Sequence, residues 1–565
     1  MDDFRSDVLA IIAPALAAHG LDAPSLETPP DATMGDLGMP CFGFAKAMRK
    51  SPVQIASELA DAMQATGWVT EVRAVGPYVN FFMDKTRLAK DVLCDPVAAV
   101  TADAKPRKIL LEHTSANPNG PLHVGRARNP ILGDTMARLF RLAGHDTETQ
   151  YYMDNLGRQV AQLYWGKVNI PESELPPTER NKPDHDLVRY YQAANERRES
   201  DPAVAEEIKN LVAELETAPP ELVAKVRPVY EACFSGMRQS LERLGVTYDS
   251  IKDESDLVDS GAVEEVIAGL KQSSRWAQEE DGANYLDMSA ELEGNKSTKF
   301  FFTRKDQTSV YATRDVAYHH WKAQQVGEGR LVNVLGEDHR LQSLQVSVAL
   351  EELGYRRPDV IFYAFVSLPE GKMSTRANRV VFVDDLLDEA VAMAKAAVTE
   401  RRPDMPAEEA DEIAEAVGIG AIRFNIAKVQ PEKPIKFRWE DALDFDGDSA
   451  PYIMYAYARA CRLLESAPEA PMDVDLIGEG EAKLAEVISR LPATAESSVD
   501  DFAPHRFCAY ASELASAFNE YYRDHPVLQC EDEALRAVRI HTVRAAQLAL
   551  GTAMDALGIP KLHQM

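Results

Sequence analysis

The chain has 565 residues, 45% hydrophobic and 27% charged, which exceeds a single core and excludes a disordered or collagen-like protein. Its six cysteines (Cys41, Cys94, Cys233, Cys461, Cys508, Cys530) form no C-x-x-C pair, which argues against a zinc knuckle or a disulfide scaffold. A formal charge of −29 excludes a uniformly basic nucleic-acid-binding surface, although local basic patches can still grip phosphates.

The N-terminal stretch "MDDFRSDVLAIIAPALAAHG" reads as an amphipathic helix without a basic leader or cleavage site, and no apolar run approaches membrane-spanning length. A cytoplasmic protein is expected. Residues 1 to about 100 predict an α+β unit. After the first helix, "GDLGMPCFGFAKAMRKSPVQIASELADAM" has helical spacing, and "VTEVRAVGPYVNFFMD" alternates like strands around a Gly-Pro turn. The stretch "VTADAKPRK" (100–108) reads as a linker.

From about 108 the rhythm becomes strand, glycine-rich turn, helix. "KILLEHTS" predicts a buried strand, "HVGRARNPILGDTMARLFRLAGH" a helix stopped by Gly144, and "ETQYYMDN" the next strand. This βαβ pattern predicts an α/β fold with a parallel sheet and a ligand site at the carboxyl ends of its strands. Residues 166–297, rich in Glu, Lys, Arg and Pro, predict a helical insertion, after which "KFFFTR", "RLVNVLGEDH" and "DVIFYAFVSL" resume the sheet. From about 438 the pattern is helical to the end.

Two stretches carry chemistry. In "EHTSANPNGPLHVGRARNPILGD" (112–134) a Gly/Pro-rich turn runs into a helix, and free N–H groups at a helix start bind anions. Gly125 lets a flat ligand such as a purine approach the backbone, while His123 and Arg126 can donate to phosphate oxygens. Alone, H-x-G-R arises by chance, and a surface His beside an Arg usually does nothing. In "LPEGKMSTRANRV" (368–380), Lys372 and Arg376 sit on a glycine-introduced loop after a buried strand. Without its partner this loop would read as a solvated basic turn.

Together, on two halves of one sheet, the two stretches resemble the signatures of class I aminoacyl-tRNA synthetases. His123–Arg126 corresponds to the HIGH element, which with its lead-in covers Ala116, Asn117, Pro118, Asn119, Gly120, Pro121, Leu122, His123, Val124, Gly125 and Arg126. Lys372–Arg376 corresponds to the KMSKS element. The longer phrases "SANPNGPLHVGRARNPILGD", "YYMDNLGRQ", "VYATRDVAYH", "GKMSTR" and "GDSAPYIMYAYARAC" resemble the arginyl-tRNA synthetase family over nearly the whole chain. That resemblance implies a Rossmann-type catalytic domain at 108–437, with the insertion at about 166–297. It also implies an N-terminal tRNA-contacting domain at 1–100 and a helical anticodon-binding domain at 438–565.

Physical chemistry supports arginine independently. A guanidinium is planar, permanently charged and best met by carboxylates and carbonyls in a fixed fork. In "YATRD", Tyr311 and Asp315 are spaced to share one helix face, so Asp315 can take the guanidinium beside Tyr311. Lysine would leave fork acceptors unpaired, and citrulline lacks the charge. Taken alone, a Tyr–Asp pair at this spacing is usually mere surface.

The resemblance further implies that Glu112, Ser115 and Asn117 hold the amino acid's α-amino and carboxylate ends, with His339 nearby in an open role. It places ATP against Gly125, Asn129, Gly336, Glu337, Asp338, Met373 and Ser374. The final His of HIGH is Arg126 here, Thr375 replaces the second Lys of KMSKS, and Gly120 stands where some family members carry a compensating Lys. These departures bear on rate rather than reaction type. Tyr78 and Asn80, with Tyr455 and Arg459, match tRNA-contacting regions, although alternating strand residues such as the first pair are as often core.

The implied reaction is attack of the arginine carboxylate on the α-phosphorus of ATP, giving arginyl-adenylate and pyrophosphate. A 2′ ribose hydroxyl of tRNA-Arg then takes the arginyl group. ATP with Mg²⁺ is a substrate, no structural metal is expected, and the partners are tRNA-Arg and L-arginine, without a membrane and with the enzyme acting as a monomer. A cysteinyl enzyme would need zinc-ligand clusters, and a smaller nucleotidyltransferase would not need the terminal helices. A non-catalytic RNA-binding paralogue is opposed by the joint presence of His123, Asp315 and Lys372.

Overall fold

The structure is a computed structural model that describes all residues except 1, 23–24, 103–104, 293–297, 307 and 368–380. The chain divides into two compact units, one comprising 1–100, 462–491 and 516–549, the other 101–461, 492–515 and 550–565. The helical C-terminal segment thus contributes to both.

In the first unit the strands β1 (Leu37–Pro40), β2 (Val69–Val75) and β3 (Tyr78–Met83) form an antiparallel sheet in the order β1-β3-β2. Gly76, at φ +55°, makes the turn between β2 and β3 in the left-handed region that glycine adopts without strain. The stretch "GDLGMP", expected to be helical, supplies β1 instead. Its Gly and Pro oppose a helix, and pairing with β3 supplies the order its local pattern lacks. The helix Pro52–Ala62 starts on a capping box made by Ser51 and Gln54. Val8 and Ile12 of the helix Asp2–Ala17, Ile55 and Leu59 of this helix, and Val79 and Phe81 of β3 are all fully buried.

The second unit is built on β4 (Lys108–Glu112), β5 (Asp146–Met153) and β6 (Ser250–Asp253). Three short strands, β7 (Trp276–Gln278), β8 (Asn284–Asp287) and β9 (Lys299–Phe301), follow as a separate antiparallel sheet. β10 (Arg330–Gly336) and β11 (Asp359–Tyr363) then complete a five-stranded parallel sheet in the order β11-β10-β4-β5-β6. Ile109, Leu110 and Leu111 in β4 are fully enclosed, as a strand covered on both faces requires. The order reverses between β4 and β10, so the ligand crevice of such a sheet opens at their carboxyl ends.

Two expectations are corrected. β6 lies inside the stretch read as a helical insertion and pairs with β5. "KFFFTR" does not rejoin the parallel sheet. It alternates buried Phe300 and Phe302 with exposed Phe301, the pattern of a strand covered on one face, and pairs with β8. Between β5 and β6 run the helices Arg158–Asn169, Pro183–Ser200, Pro202–Leu215 and Pro220–Arg243, the last three opening on a proline that needs no N–H partner. Their Leu163, Tyr190, Leu222 and Tyr230 share one core with Ala116, Leu122 and Val124. Two-residue strands β12 (Val366–Ser367) and β13 (Ile435–Lys436) pair in parallel beyond β11. Among the described residues no helix is long and apolar enough to cross a membrane.

Candidate active site

β4 ends at Glu112, and the chain turns sharply through Thr114 and Ser115, at φ 70° and 40°. Non-glycine residues hold the left-handed region only when their surroundings over-determine it. Here Thr114 N donates to Asn129 Oδ1 at 2.7 Å, Ser115 Oγ donates to Glu112 Oε1 at 2.9 Å, and Tyr152 N donates to Ser115 Oγ at 3.1 Å. The turn is thereby tied to β5 and to the helix Arg128–Leu142. A second Asn129 bond, Nδ2 to the Val334 carbonyl at 3.0 Å, joins it to β10.

His123 caps the short 3₁₀ turn Val124–Arg126, with Gly125 N donating to its Nδ1 at 3.0 Å. The ring proton is then on Nε2, pointing outward as a donor. Burial, with the Arg126 charge, lowers the His123 imidazolium below its ordinary value. A Cβ on Gly125 would lie 3.0 Å from the His123 ring, so glycine is what lets the imidazole fold over the turn. Gly120 packs on Val188, 2.6 Å from where its Cβ would be, so a lysine has no room there.

The crevice between β4 and β10 is a cavity lined by Glu112, Ser115, Ala116, Asn117, Leu122, Arg126 and Asn129 on one side. Tyr311, Asp315, Gly336, Asp338 and His339 line the other, so the structure brings these sequence-predicted residues together. His123, Gly125 and Glu337 are not in the lining; Glu337 instead pairs with Arg340 at 2.7 Å. Phe365 and Tyr363, which sequence reasoning missed, wall the cavity beside Gly336.

Tyr311 opens the helix Tyr311–Val326, and Asp315 lies one turn on. Gln342 Nε2 donates to Asp315 Oδ2 at 2.7 Å, and His319 Nδ1 lies 3.2 Å from Oδ1. Burial works to raise the Asp315 carboxyl; the hydrogen bond from His319, with that from Gln342 and the Lys322 charge, outweighs it and holds the group below its usual value. Asp315 is therefore an ionised carboxylate in an enclosed site. His339 Nδ1 reaches Gln342 Oε1 at 3.2 Å, so His339 touches the acidic end only through Gln342. Lys322, His319, Asn333 and Gln342 were also missed, although the polar stripe Asp315, His319, Lys322 at helical spacing was visible in the sequence.

Lys372, Met373, Ser374 and Arg376, with Thr375, lie outside the described residues. The chain on either side of them is held against the HIGH element. Val124 N donates to the Val381 carbonyl at 3.0 Å and Val383 N to the Leu122 carbonyl at 2.8 Å. On the other flank, the guanidinium of buried Arg128 donates to the carbonyls of Ala364, Lys433 and Gln430 at 2.7, 2.6 and 2.6 Å, and to Val429 at 3.2 Å.

In the first unit, Tyr78 is half-buried with its ring edge-on to exposed Phe42, at 5.7 Å between centroids. Asn80, two residues along the same strand, is buried against Gly38. In the second unit Tyr455 is exposed, with the Arg459 guanidinium 4.6 Å over its ring. Among the described residues one trio, Asp184, His185 and Asp384, gathers metal-ligating atoms. The Lys182 ammonium already lies among them, 2.7 Å from Asp384 and 3.2 Å from Asp184, and supplies the cation.

Comparison with known proteins decides the family. Residues 89–439 match the catalytic domain of tRNA synthetases class I (R), residues 453–565 the DALR anticodon binding domain, and residues 3–83 the arginyl-tRNA synthetase N-terminal domain. The chain belongs to the arginyl-tRNA synthetases. This synthetase is 42% identical over 529 residues to the arginine–tRNA ligase of Methanocella arvoryzae, covering 93% of this chain and 92% of the relative. It is 39% identical over 559 residues to that of Methanothermobacter thermautotrophicus, covering 97% of each. Its structure superposes on the Thermus thermophilus arginyl-tRNA synthetase with a TM-score of 0.82 at 30% identity, covering 99% of this chain and 100% of that one. The synthetase is a ligase, and ATP is its substrate by class.

Proposed function

We propose that this synthetase joins L-arginine to tRNA-Arg in the cytoplasm, as a monomer, using the cavity between β4 and β10. Asp315 takes the guanidinium beside Tyr311, while Glu112, Ser115 and Asn117 meet the α-amino and carboxylate ends. The observation that carries this reading is Asp315, enclosed and held ionised by His319 and Gln342. A charge kept out of water binds a desolvated cation strongly and leaves an uncharged side chain poorly matched.

ATP enters as its magnesium complex, with the adenosine against Gly336, Asp338, Asn129 and Gly125 and the phosphates toward the His123 Nε2 proton, Arg126, Lys372 and Arg376. Met373 and Ser374 belong to the same ATP-binding set, and of Glu337 and Asp338 it is Asp338, which lines the cavity, that meets the ribose hydroxyls. The arginine carboxylate attacks the α-phosphorus, pyrophosphate leaves, and the terminal tRNA 2′ hydroxyl takes the arginyl group from the adenylate. No protein nucleophile is needed; positioning and charge stabilisation supply the acceleration. Tyr78, and Tyr455 with Arg459, serve tRNA binding, while the burial of Asn80 leaves it no reach to tRNA.

The test is charging of tRNA-Arg with each of the twenty amino acids by the parent and by Asp315→Ala. Arginine alone is expected to be charged, and the variant is expected to lose at least about tenfold in kcat/KM for arginine, the worth of one charged hydrogen bond. Equal charging with lysine, or full activity in the variant, removes the reading.

A further inference from the structure

The two carboxylates of the cavity are joined beneath it by one chain of hydrogen bonds. Its centre is Lys322, fully buried in the helix that carries Asp315, with Nζ donating to Glu112 Oε2 at 2.6 Å and to Asn333 Oδ1 at 3.0 Å. An ammonium only donates, so Asn333 must turn its oxygen to Lys322 and its NH₂ to His319 Nε2, 2.9 Å away. His319 Nε2 then accepts, which places the ring proton on Nδ1, facing the Asp315 carbonyl at 2.9 Å and Oδ1 at 3.2 Å. The Tyr318 ring covers the ammonium at 4.2 Å and itself stacks on Tyr152, so the centre of the chain is shielded from water. Burying an ammonium is strongly unfavourable without such partners, and each partner here also belongs to or leads to a cavity carboxylate.

We propose that Lys322 is a positioning residue for arginine: a resident ammonium that fixes Glu112 directly and Asp315 through Asn333 and His319. It also sets the charge of the site. Arginine brings two cations and one carboxylate; Glu112 and Asp315 with Lys322 present two negative charges and one positive, the complementary sum. Without Lys322, Glu112 loses the bond to Oε2 and is held only by Ser115 at Oε1. Asn333 is then free to turn over and release His319 from Asp315. The inference rests on the arginine-binding reading of Glu112 and Asp315.

Arginine KM, ATP KM and the pH profile of kcat/KM for arginine are measured for the parent, Lys322→Met, Lys322→Arg, Glu112→Gln and Asp315→Asn with tRNA-Arg present. K322M is expected to raise arginine KM at least about tenfold and leave ATP KM within about twofold, while K322R stays within about threefold of the parent. The acid limb of the K322M profile is expected at higher pH, because Asp315 loses a cation that favours its ionised form. A folded K322M with the parent's arginine KM and acid limb overturns the proposal. If E112Q and D315N raise arginine KM and K322M does not, only the role of Lys322 falls; if none of the three does, the arginine-site reading has failed. Should K322M not fold, the double variant E112Q/K322M, which leaves neither charge unpaired, decides. An arginine KM above that of E112Q, with the acid limb at higher pH and ATP KM within about twofold, supports the proposal, and an arginine KM and acid limb equal to those of E112Q overturn it.

Discussion

His113, directly after Glu112, is enclosed against Tyr248 at 4.7 Å between ring centroids, and its Nδ1 lies 3.1 Å from the Thr114 hydroxyl. Burial pushes its imidazolium down to about 4 from 6.5. Between those two values the unfolded chain binds a proton that the folded chain refuses, so stability is complete above 6.5 and falls as pH drops toward 4. The slope is at most about 1.4 kcal/mol per pH unit. In His113→Asn, urea melts across this window are expected to show a shallower loss on acidification than the parent; equal slopes would assign the effect elsewhere. Legibility at this scale was uneven. Tyr311 and Asp315 were legible only with the family resemblance, because a Tyr–Asp pair on one helix face is by itself usually surface. Asn333 was not, because it sits inside an apolar strand and acquires its role only when β10 is laid beside β4.

Among the elements, the buried guanidinium of Arg128 ties the HIGH helix to the β11–β12 connection. Arg128 is served by four main-chain carbonyls, and burial lowers its guanidinium to about 10, still charged near neutrality. Arg128→Met leaves those oxygens unpaired and is expected to cost about 3 kcal/mol or more in stability. Because Ala364 lies between Tyr363 and Phe365 on the cavity wall, ATP KM is expected to rise more than arginine KM. Denaturant melts with both KM values check this; an unchanged melt would show the clamp to be dispensable. The parallel strands β4, β5, β10 and β11 were legible from apolar runs between helical periods. β6 was not: "SIKD" is polar and short, and pairs only because β5 offers an edge. β9 was mistaken for a parallel strand although its alternating phenylalanines already described a one-sided sheet.

For the whole molecule, the net charge of −29 means that tRNA must be gripped by local features rather than by the average surface. Tyr78 in the first unit and Tyr455 in the second both present aromatic surface suited to stacking on unpaired bases. Tyr78→Ala and Tyr455→Ala are each expected to raise tRNA KM by about fivefold or more, since a stacked base is worth about 1–3 kcal/mol, with arginine and ATP KM unchanged. A variant with the parent's tRNA KM would return its tyrosine to a packing role. The resemblance read from the motifs reached the family partly because "SANPNGPLHVGRARNPILGD" and "VYATRDVAYH" supply residues that line the cavity between β4 and β10. The division into compact units was not legible, because residues after 461 pack partly with the N-terminal unit. That depends on contacts no local pattern encodes.

The order of the parallel sheet also governs how the chain is born. Glu112 and its counter-ion Lys322 are 210 positions apart, so a ribosome releases β4 long before β10 can seal its edge. Throughout that interval the nascent polypeptide carries an apolar strand with one open side and a carboxylate awaiting its cation. Closure of the cavity between β4 and β10 thus waits until the chain has been made through β10, and until then the open edge of β4 exposes the nascent polypeptide to aggregation.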